Sequence, residues 1–205
     1  MSLHVLEHPL ADHILALLRD TNTGAAQFRT LSTQITTLLV VEATRDIQVR
    51  TVEVESPMER TECRKLAVAF ATVAIVRAGM SMIDAVVNLL PSVSVGFVGM
   101  ERDEETAEAR SYYCKLPPLG GKRVLLVDPM LATGGSALQA LDLIYGNGAG
   151  EVSFLNIVAA PEGVRKIEES FPDVAIYTAA LDRELNSRNY ILPGLGDFGD
   201  RLYGT

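Results

Sequence analysis

The chain repeats one local pattern, in which a short apolar segment typical of a buried strand is followed by a segment with helical signals. Val124–Val127 and Val152–Ala159 are mainly apolar runs. Gly135–Tyr145 lies between them and predicts a helix, which Gly146-Asn147-Gly148 ends. Strands that alternate with helices form βαβ units, and these units build a parallel sheet with helices on its faces. We therefore expect an α/β fold with a central, mostly parallel sheet flanked by helices.

The rest of the chain extends this pattern in both directions. The predicted strands are Ile47–Val54, Leu66–Val76, Val93–Met100 and Val174–Tyr177, and the predicted helices are Phe28–Thr44, Gly79–Leu90 and Pro161–Phe171. Residues 101–119 interrupt it with acidic residues and Pro117-Pro118, which predicts an exposed arm or loop. Residues 182–205 are rich in glycine and turn residues. With 205 residues, we expect a single domain, 1–205, with a small appendage.

Charge and apolar content exclude several classes of protein. The net charge of -8 argues against a nucleic-acid footprint, because such a footprint needs a basic face. The longest apolar run, Leu66–Val76, is far shorter than the roughly 20 residues of a membrane helix. Cys63 and Cys114 are too few for a disulfide framework and predict free thiols in a reducing compartment. We expect a cytoplasmic protein that binds neither nucleic acid nor a membrane.

Polar residues follow three of the predicted strands. They are Arg77-Ala78-Gly79, Glu101-Arg102-Asp103 and the segment from Asp128 to Ser136. Ligands of parallel sheets bind beyond the carboxyl ends of the strands, where such segments meet. The sequence therefore predicts a binding site at this edge of the sheet.

The segment from Asp128 to Ser136 suits a phosphate group. A buried strand ends at Asp128, and Thr133-Gly134-Gly135-Ser136 opens the next helix. The glycines let backbone amides approach an anion, and the helix N-terminus adds unpaired N–H groups. A strand-to-helix turn capped by Ser or Thr would contain some of the same residues, and Thr-Gly-Gly alone does not separate the two interpretations. The complete array favours phosphate binding.

The amino-acid sequence of this loop resembles that of a known family. Asp128-Pro129-Met130-Leu131-Ala132-Thr133-Gly134-Gly135-Ser136 resembles the phosphoribosyl pyrophosphate (PRPP) loop of the type I phosphoribosyltransferases, and in particular of their uracil branch. The resemblance implies the type I phosphoribosyltransferase fold, with a C-terminal hood and a protruding arm, and implies that these nine residues bind PRPP. Most type I members have two adjacent acids here, whereas this chain has Pro129 second. We therefore expect Mg²⁺ as a cofactor held mainly by the donor and water, with no protein metal site.

Two arginines extend the resemblance. Ile75-Val76-Arg77-Ala78-Gly79-Met80 resembles the family segment whose arginine binds the pyrophosphate part of the donor, and Arg102 resembles the second donor-binding arginine. The family usually has Pro where this chain has Ala74, and often Tyr where it has Glu101. Judged without the resemblance, Arg77 could be an arginine that extends its head into water at a strand end, and a charge run such as 101–105 is usually a solvated face.

The C-terminal segment 182–205 resembles the family's uracil-binding hood. The similarity lies in Tyr190-Ile191-Leu192-Pro193-Gly194-Leu195-Gly196-Asp197-Phe198-Gly199-Asp200-Arg201. It implies that main-chain groups at Ile191, Gly196 and Phe198 hold uracil, and that Asp197 lies near the donor's ribose and the ion. Many bacterial members have Ala at position 198, and the family's Asn-Glu-His-Gly is here Asn186-Ser187-Arg188-Asn189.

The resemblance implies that uracil N1 displaces diphosphate from PRPP and gives uridine monophosphate, with Asp128, Arg77 and Asp197 as the catalytic residues. It also implies a homodimer or a higher homo-oligomer and, in some members, activation by a purine nucleotide. Two alternatives remain open. The enzyme could use another base, because all these enzymes share the donor, or the protein could be a non-catalytic regulator that senses PRPP or uracil.

Overall fold

A computed structural model describes residues 3–102 and 109–205, with side chains described for 3–100 and 112–205. The helices are α1 (Pro9–Arg19), α2 (Ala25–Ala43), α3 (Met80–Leu89), α4 (Gly135–Gly146), α5 (Pro161–Ser170) and α6 (Phe198–Tyr203). The strands are β1 (Leu3–Val5), β2 (Val49–Glu55), β3 (Arg60–Leu66), β4 (Ala69–Val76), β5 (Ser94–Arg102), β6 (Ala109–Lys115), β7 (Lys122–Val127), β8 (Met130–Leu131), β9 (Glu151–Ala159), β10 (Ala175–Leu181), β11 (Glu184–Leu185) and β12 (Ile191–Leu192). Neither described range contains a helix long and apolar enough to cross a bilayer.

One sheet of eight strands forms the centre of the molecule. Its order is β1-β10-β9-β7-β4-β5-β6, with β8 paired to β9. The pairs along it are parallel, apart from the antiparallel pair β5-β6 at one edge. The prediction of a mostly parallel central sheet is confirmed.

Helices cover both faces of this sheet, and the strand sequences explain why. Leu125 and Val127 of β7 belong to the core that α1, α2 and α3 cover, whereas Val124 and Leu126 belong to the core that α4 and α5 cover. Successive residues of a strand point to opposite faces. A sheet covered on both faces therefore needs the continuous apolar runs that the sequence contains. The predicted helices correspond to α2, α3, α4 and α5, whereas α1 and α6 were not predicted.

The prediction of one buried strand over Leu66–Val76 was wrong. Leu66 ends β3, which pairs with β2 in a separate antiparallel hairpin, and β4 begins only at Ala69. Residues Arg60–Leu66 are all exposed, whereas β4 is buried from Phe70 to Ile75. Apolar character continues across the boundary, so hydrophobicity alone could not locate the turn between the two strands. The predicted end of β2 before Ser56-Pro57 is confirmed.

The interval predicted as an arm or loop is partly strand. β5 continues to Arg102, and Ala109–Lys115 forms the edge strand β6. Leu119 at the end of the interval is buried. Residues 103–108 lie outside the described residues, so the protruding arm stays a prediction.

Candidate active site

Three neighbouring strands bring their carboxyl ends to one edge of the sheet. β4 pairs with β5 on one side, with Val76 opposite Gly99, and with β7 on the other, with Ala74 opposite Val127. Arg77 follows β4 directly through a cis peptide bond and is exposed. Its guanidinium has no hydrogen-bond or ion-pair partner among the described side chains. The convergence predicted from the strand ends is therefore present for Arg77 and Asp128.

The loop after β4 is packed against the end of β7 through Gly79. A Cβ atom at this position would lie 2.5 Å from the carbonyl oxygen of Val127 and 2.6 Å from that of Ile75. Such distances exclude any residue with a side chain unless the backbone moves. Gly79 thus keeps the loop that carries Arg77 beside the strand that ends at Asp128.

The segment after β7 forms the predicted strand–loop–helix array. Met130 and Leu131 pair with β9, and α4 begins at Gly135 after Gly134, which has a positive φ of 78°. Gly134 offers no side chain as a cap, so the N–H groups of the first turn of α4 remain available for an anion. Residues 128–137 without Pro129 line a small cavity of about 90 Å³. This geometry suits a phosphate group.

The carboxyl group of Asp128 is buried at the start of this loop. Burial raises the pKa of Asp128 to about 8, and a hydrogen bond from the backbone N–H of Met130 opposes the rise. The residue as a whole keeps part of its surface open. A hydroxyl group or a cation in the open part would stabilise the ionised form, because either replaces the water that the carboxylate has lost.

The hood contains the larger cavity of the site, about 370 Å³. Its lining comes from the loop after β4, from the phosphate loop and from the hood: Ala78, Met130, Ala132, Arg188, Asn189, Tyr190, Ile191, Gly196, Asp197, Phe198 and Gly199. All four residues predicted to bind uracil are therefore in one lining. The cavity also joins them to the segments that follow Arg77 and Asp128.

The side chains of Asp197 and Phe198 are both occupied by structural contacts. Asp197 is the N-cap of α6, and its Oδ1 accepts a hydrogen bond of 3.0 Å from the backbone N–H of Asp200. The ring of Phe198 is buried and packs edge-on against Phe28, with 5.0 Å between the ring centroids. The large side chain at position 198 therefore packs into the core beside Phe28.

Comparison with known proteins identifies the family. The chain matches the family described as uracil phosphoribosyltransferase over residues 5–205. It is 45% identical to the uracil phosphoribosyltransferase of Campylobacter curvus over 205 residues, covering 100% of this chain and 99% of the relative. It is 48% identical to that of Clostridioides difficile over 200 residues, covering 97% and 96%. The chain belongs to the uracil phosphoribosyltransferase family.

Solved structures agree with this family assignment. A protein of Aquifex aeolicus superposes with a TM-score of 0.95 at 39% identity, covering 99% of this chain and 98% of that one. A hypoxanthine-guanine phosphoribosyltransferase of Bacillus anthracis superposes with a TM-score of 0.53 at 12% identity, covering 77% and 80%, which shows the fold alone. The expected α/β type I phosphoribosyltransferase fold is confirmed.

Three residues of the cavity lining were not predicted from the sequence, and one predicted residue lies outside the described side chains. Arg188, Asn189 and Tyr190 line the larger cavity and were not predicted as site residues. No local pattern indicated them, because their place in the lining depends on how the hood packs over the phosphate loop. Arg102 ends β5, but its side chain lies outside the described residues, so its role stays a prediction.

The residues present fit a magnesium ion that the donor carries. No cluster of three or more His, Cys, Asp or Glu side chains lies within the part of the chain that the structure describes. The phosphate loop itself offers one carboxylate, Asp128, followed by Pro129. A lone carboxylate is typical of Mg²⁺ sites in which substrate phosphates and water supply the other ligands.

Proposed function

We propose that the protein transfers the phosphoribosyl group of PRPP to N1 of uracil. The bond between C1 of the ribose and the diphosphate oxygen breaks, the oxygen keeps the electron pair, and a bond between C1 and N1 forms. The N1 proton passes to solvent or to the bound donor, and the products are uridine monophosphate and diphosphate. One observation carries the proposal: Met130 and Ala132 of the phosphate loop and Ile191 and Gly196 of the hood line one cavity.

The donor would bind across the edge of the sheet. The amides of Thr133–Ser136 and the first turn of α4 suit its 5′-phosphate, and Asp128 suits the ribose hydroxyls. Arg77, an exposed cation without a protein partner among the described side chains, suits the diphosphate, together with Arg102. Asp197 would lie near the ribose and the ion. Because no residue stands out as a general base among those whose side chains the structure describes, the main catalytic contribution of these residues is positioning and stabilisation of charge.

The base would be recognised by main-chain groups of the hood. Uracil presents an acceptor, a donor and an acceptor at O2, N3 and O4, whereas cytosine reverses the sign at N3 and C4. Backbone groups at Ile191, Gly196 and Phe198 cannot change their donor or acceptor character. Cytosine would leave them unpaired, and mismatches of that kind discriminate by roughly 10⁴-fold or more.

Three further parts of the proposal concern the ion, the assembly and the location. Mg²⁺ bound to the donor would neutralise charge that gathers on the leaving diphosphate. We also propose a homo-oligomer, because the hairpin β2–β3 exposes Val49, Met58 and Leu66, and an isolated two-stranded hairpin is marginally stable in water. We propose a cytoplasmic location because Cys63 and Cys114 are both free thiols. Size-exclusion chromatography with light scattering tests the assembly, and a monomeric mass at micromolar concentration would contradict it.

The decisive experiment measures product formation from PRPP with three bases. Uracil should give uridine monophosphate in the presence of Mg²⁺, whereas cytosine and hypoxanthine should give at most trace product. Turnover of hypoxanthine alone would establish a transferase for another base. Tight binding of PRPP or uracil without turnover of any of the three bases would indicate a sensor in place of an enzyme.

A further inference from the structure

Two arginines bind consecutive carbonyl groups in the hood. Arg19, the last residue of α1, donates a hydrogen bond of 2.8 Å from Nη1 to the carbonyl oxygen of Gly194. Arg201 of α6 donates one of 3.0 Å from Nη1 to the carbonyl oxygen of Leu195. Gly196, the next residue, lines the larger cavity. The backbone that enters the cavity is therefore held at the two residues before it.

Arg19 is itself held by a buried carboxylate. Its two terminal nitrogens contact Asp182 at 2.6 Å and 3.0 Å, and the same carboxylate accepts a hydrogen bond of 2.8 Å from the backbone N–H of Gly194. Asp182 is 7% exposed. A bidentate pair of this kind is the more directional form of ion pair. One end of the segment Gly194–Leu195 is thereby anchored to α1.

Arg201 connects the other end to the same helix. Its guanidinium donates to the carbonyl oxygen of Leu18 and, at 2.6 Å, to that of Asp20, the C-cap of α1. Carbonyl groups at a helix C-terminus lack helical partners and favour a cation. The same guanidinium thus binds carbonyl groups at the end of α1 and the carbonyl group of Leu195. It therefore fixes the position of the hood relative to α1.

The contacts of Arg201 also reach the residue that follows the cavity backbone. Its Cζ lies 4.4 Å from the centroid of the Phe28 ring, and Phe28 packs edge-on against Phe198. Arg201 therefore contacts Leu195 directly and Phe198 through Phe28. The backbone of Gly196 and Asp197 lies between these two points.

We propose that Arg201 is a positioning residue for the base, because it fixes the peptide groups from Gly196 to Phe198 in the orientation that binds uracil. The inference rests on the proposed function, in which this cavity takes the base. Arginine suits the role because its planar fork serves several carbonyl groups at once. A lysine ammonium is a point charge and could not reproduce that arrangement.

The test compares Arg201→Met and Arg201→Lys with a matched control, Arg29→Met. Arg29 of α2 donates a hydrogen bond of 2.8 Å to the carbonyl oxygen of Leu202, so it also binds α6, but it donates no hydrogen bond to Gly194 or Leu195. Initial rates are measured against uracil and against PRPP for each protein, at a temperature well below its melting temperature. Arg201→Met keeps an unbranched apolar stem and removes the guanidinium, together with its contact to the Phe28 ring.

Arg201→Met should raise the KM for uracil about tenfold or more, because a shift of about 1 Å in a positioning group costs that much. The KM for PRPP should rise less than the KM for uracil, because the donor loop is not touched and, of the proposed donor contacts, only Asp197 lies in the segment that Arg201 holds. Arg201→Lys should also raise the KM for uracil more than the KM for PRPP, but by a smaller factor. This variant replaces Arg201→Met in the test if the Met variant does not fold. Arg29→Met should lower the melting temperature and leave both KM values near wild type.

The inference is overturned if Arg201→Met, or Arg201→Lys in its place, leaves the KM for uracil within about twofold of wild type. It is also overturned if Arg29→Met raises that KM equally, because the role would then be general support of α6. A wild-type protein that does not convert uracil would refute the proposed function before any variant is compared.

Discussion

Replacing Asp128 by Asn should lower the activity and raise the stability, and each of these effects is measured separately. The carboxyl group has a pKa of about 8 in the folded protein because burial disfavours its ionised form. Asparagine has nearly the same shape and no charge, so it removes this cost. We expect Asp128→Asn to lower kcat/KM by about 100-fold or more, in the range seen when a charge-stabilising group is lost.

The sign of the stability effect follows from the two protonation states. In the unfolded chain the carboxyl group has the ordinary aspartate pKa of 3.8, whereas in the folded protein its pKa is about 8. Between those values the folded protein holds a proton that the unfolded chain has released. The free energy of unfolding of the wild type therefore falls as pH rises from about 4 to about 8. The Asn variant lacks this contribution, so it should become the more stable protein across that window.

The size of the effect can be bounded from the shift. A separation of about four pKa units corresponds to about 6 kcal/mol, which is a ceiling. The residue keeps part of its surface in solvent, so we expect about 2 kcal/mol at pH 8. For a domain of this size that corresponds to roughly 5 °C in melting temperature.

Urea denaturation of the ligand-free protein at pH 5 and pH 8 measures the effect. The difference in free energy of unfolding between Asp128→Asn and wild type should grow over this interval. Asp142→Asn, on the exposed side of α4, serves as the control and should run parallel to wild type. A constant difference for Asp128→Asn would show that the carboxyl group is hydrated, and near-wild-type turnover would refute the placement of the donor.

Three further substitutions and the removal of metal test other parts of the site. Arg77→Ala should cut uridine monophosphate formation by about 100-fold with an unchanged melting temperature, because Arg77 is exposed and lacks a protein partner among the described side chains; steady-state kinetics and calorimetry check it. Phe198→Ala should keep most of its turnover per folded molecule, because the backbone amide remains and Arg201 still binds Leu195, but should lose about 3 kcal/mol of stability, since its buried ring packs on Phe28. Gly196→Val should abolish most turnover, because φ is 75° there and a β-branched residue is strained in that region; a fully active variant would remove the hood assignment. Chelation should stop turnover reversibly, and metal that survives dialysis in a one-to-one ratio would contradict an ion carried by the donor.

The predicted parts of the site are those that the chain encodes locally. A strand that ends at Asp128, followed by Thr133-Gly134-Gly135-Ser136, specifies its own turn and helix start, and Gly134 has the positive φ that only a few residue types tolerate. The hood was recognised in the same way, from one continuous segment. The four residues predicted to bind uracil do lie in one cavity.

The errors arise where the outcome depends on distant partners. Leu66–Val76 is almost uniformly apolar, but Leu66 pairs with Val49 in an exposed hairpin and Ala69 pairs with Lys122 in the central sheet. Hydrophobicity does not say which strand a residue will pair with. Arg188 likewise became a cavity residue because the hood folds over the loop after β7, which no local pattern encodes.

The sequence by itself determined the class of fold, the phosphate loop and the family, because strand periodicity, glycine placement and short motifs act over a few neighbouring residues. The tertiary structure alone decided how closely the loops after β4 and β7 meet, at Gly79, where a Cβ atom would lie 2.5 Å from the carbonyl oxygen of Val127. It also decided that Arg201 holds the hood to the end of α1, where its partner Leu18 is 183 positions away in the sequence. Contacts between residues so far apart in the sequence form only when the whole chain has folded, since no local sequence pattern identifies the two partners.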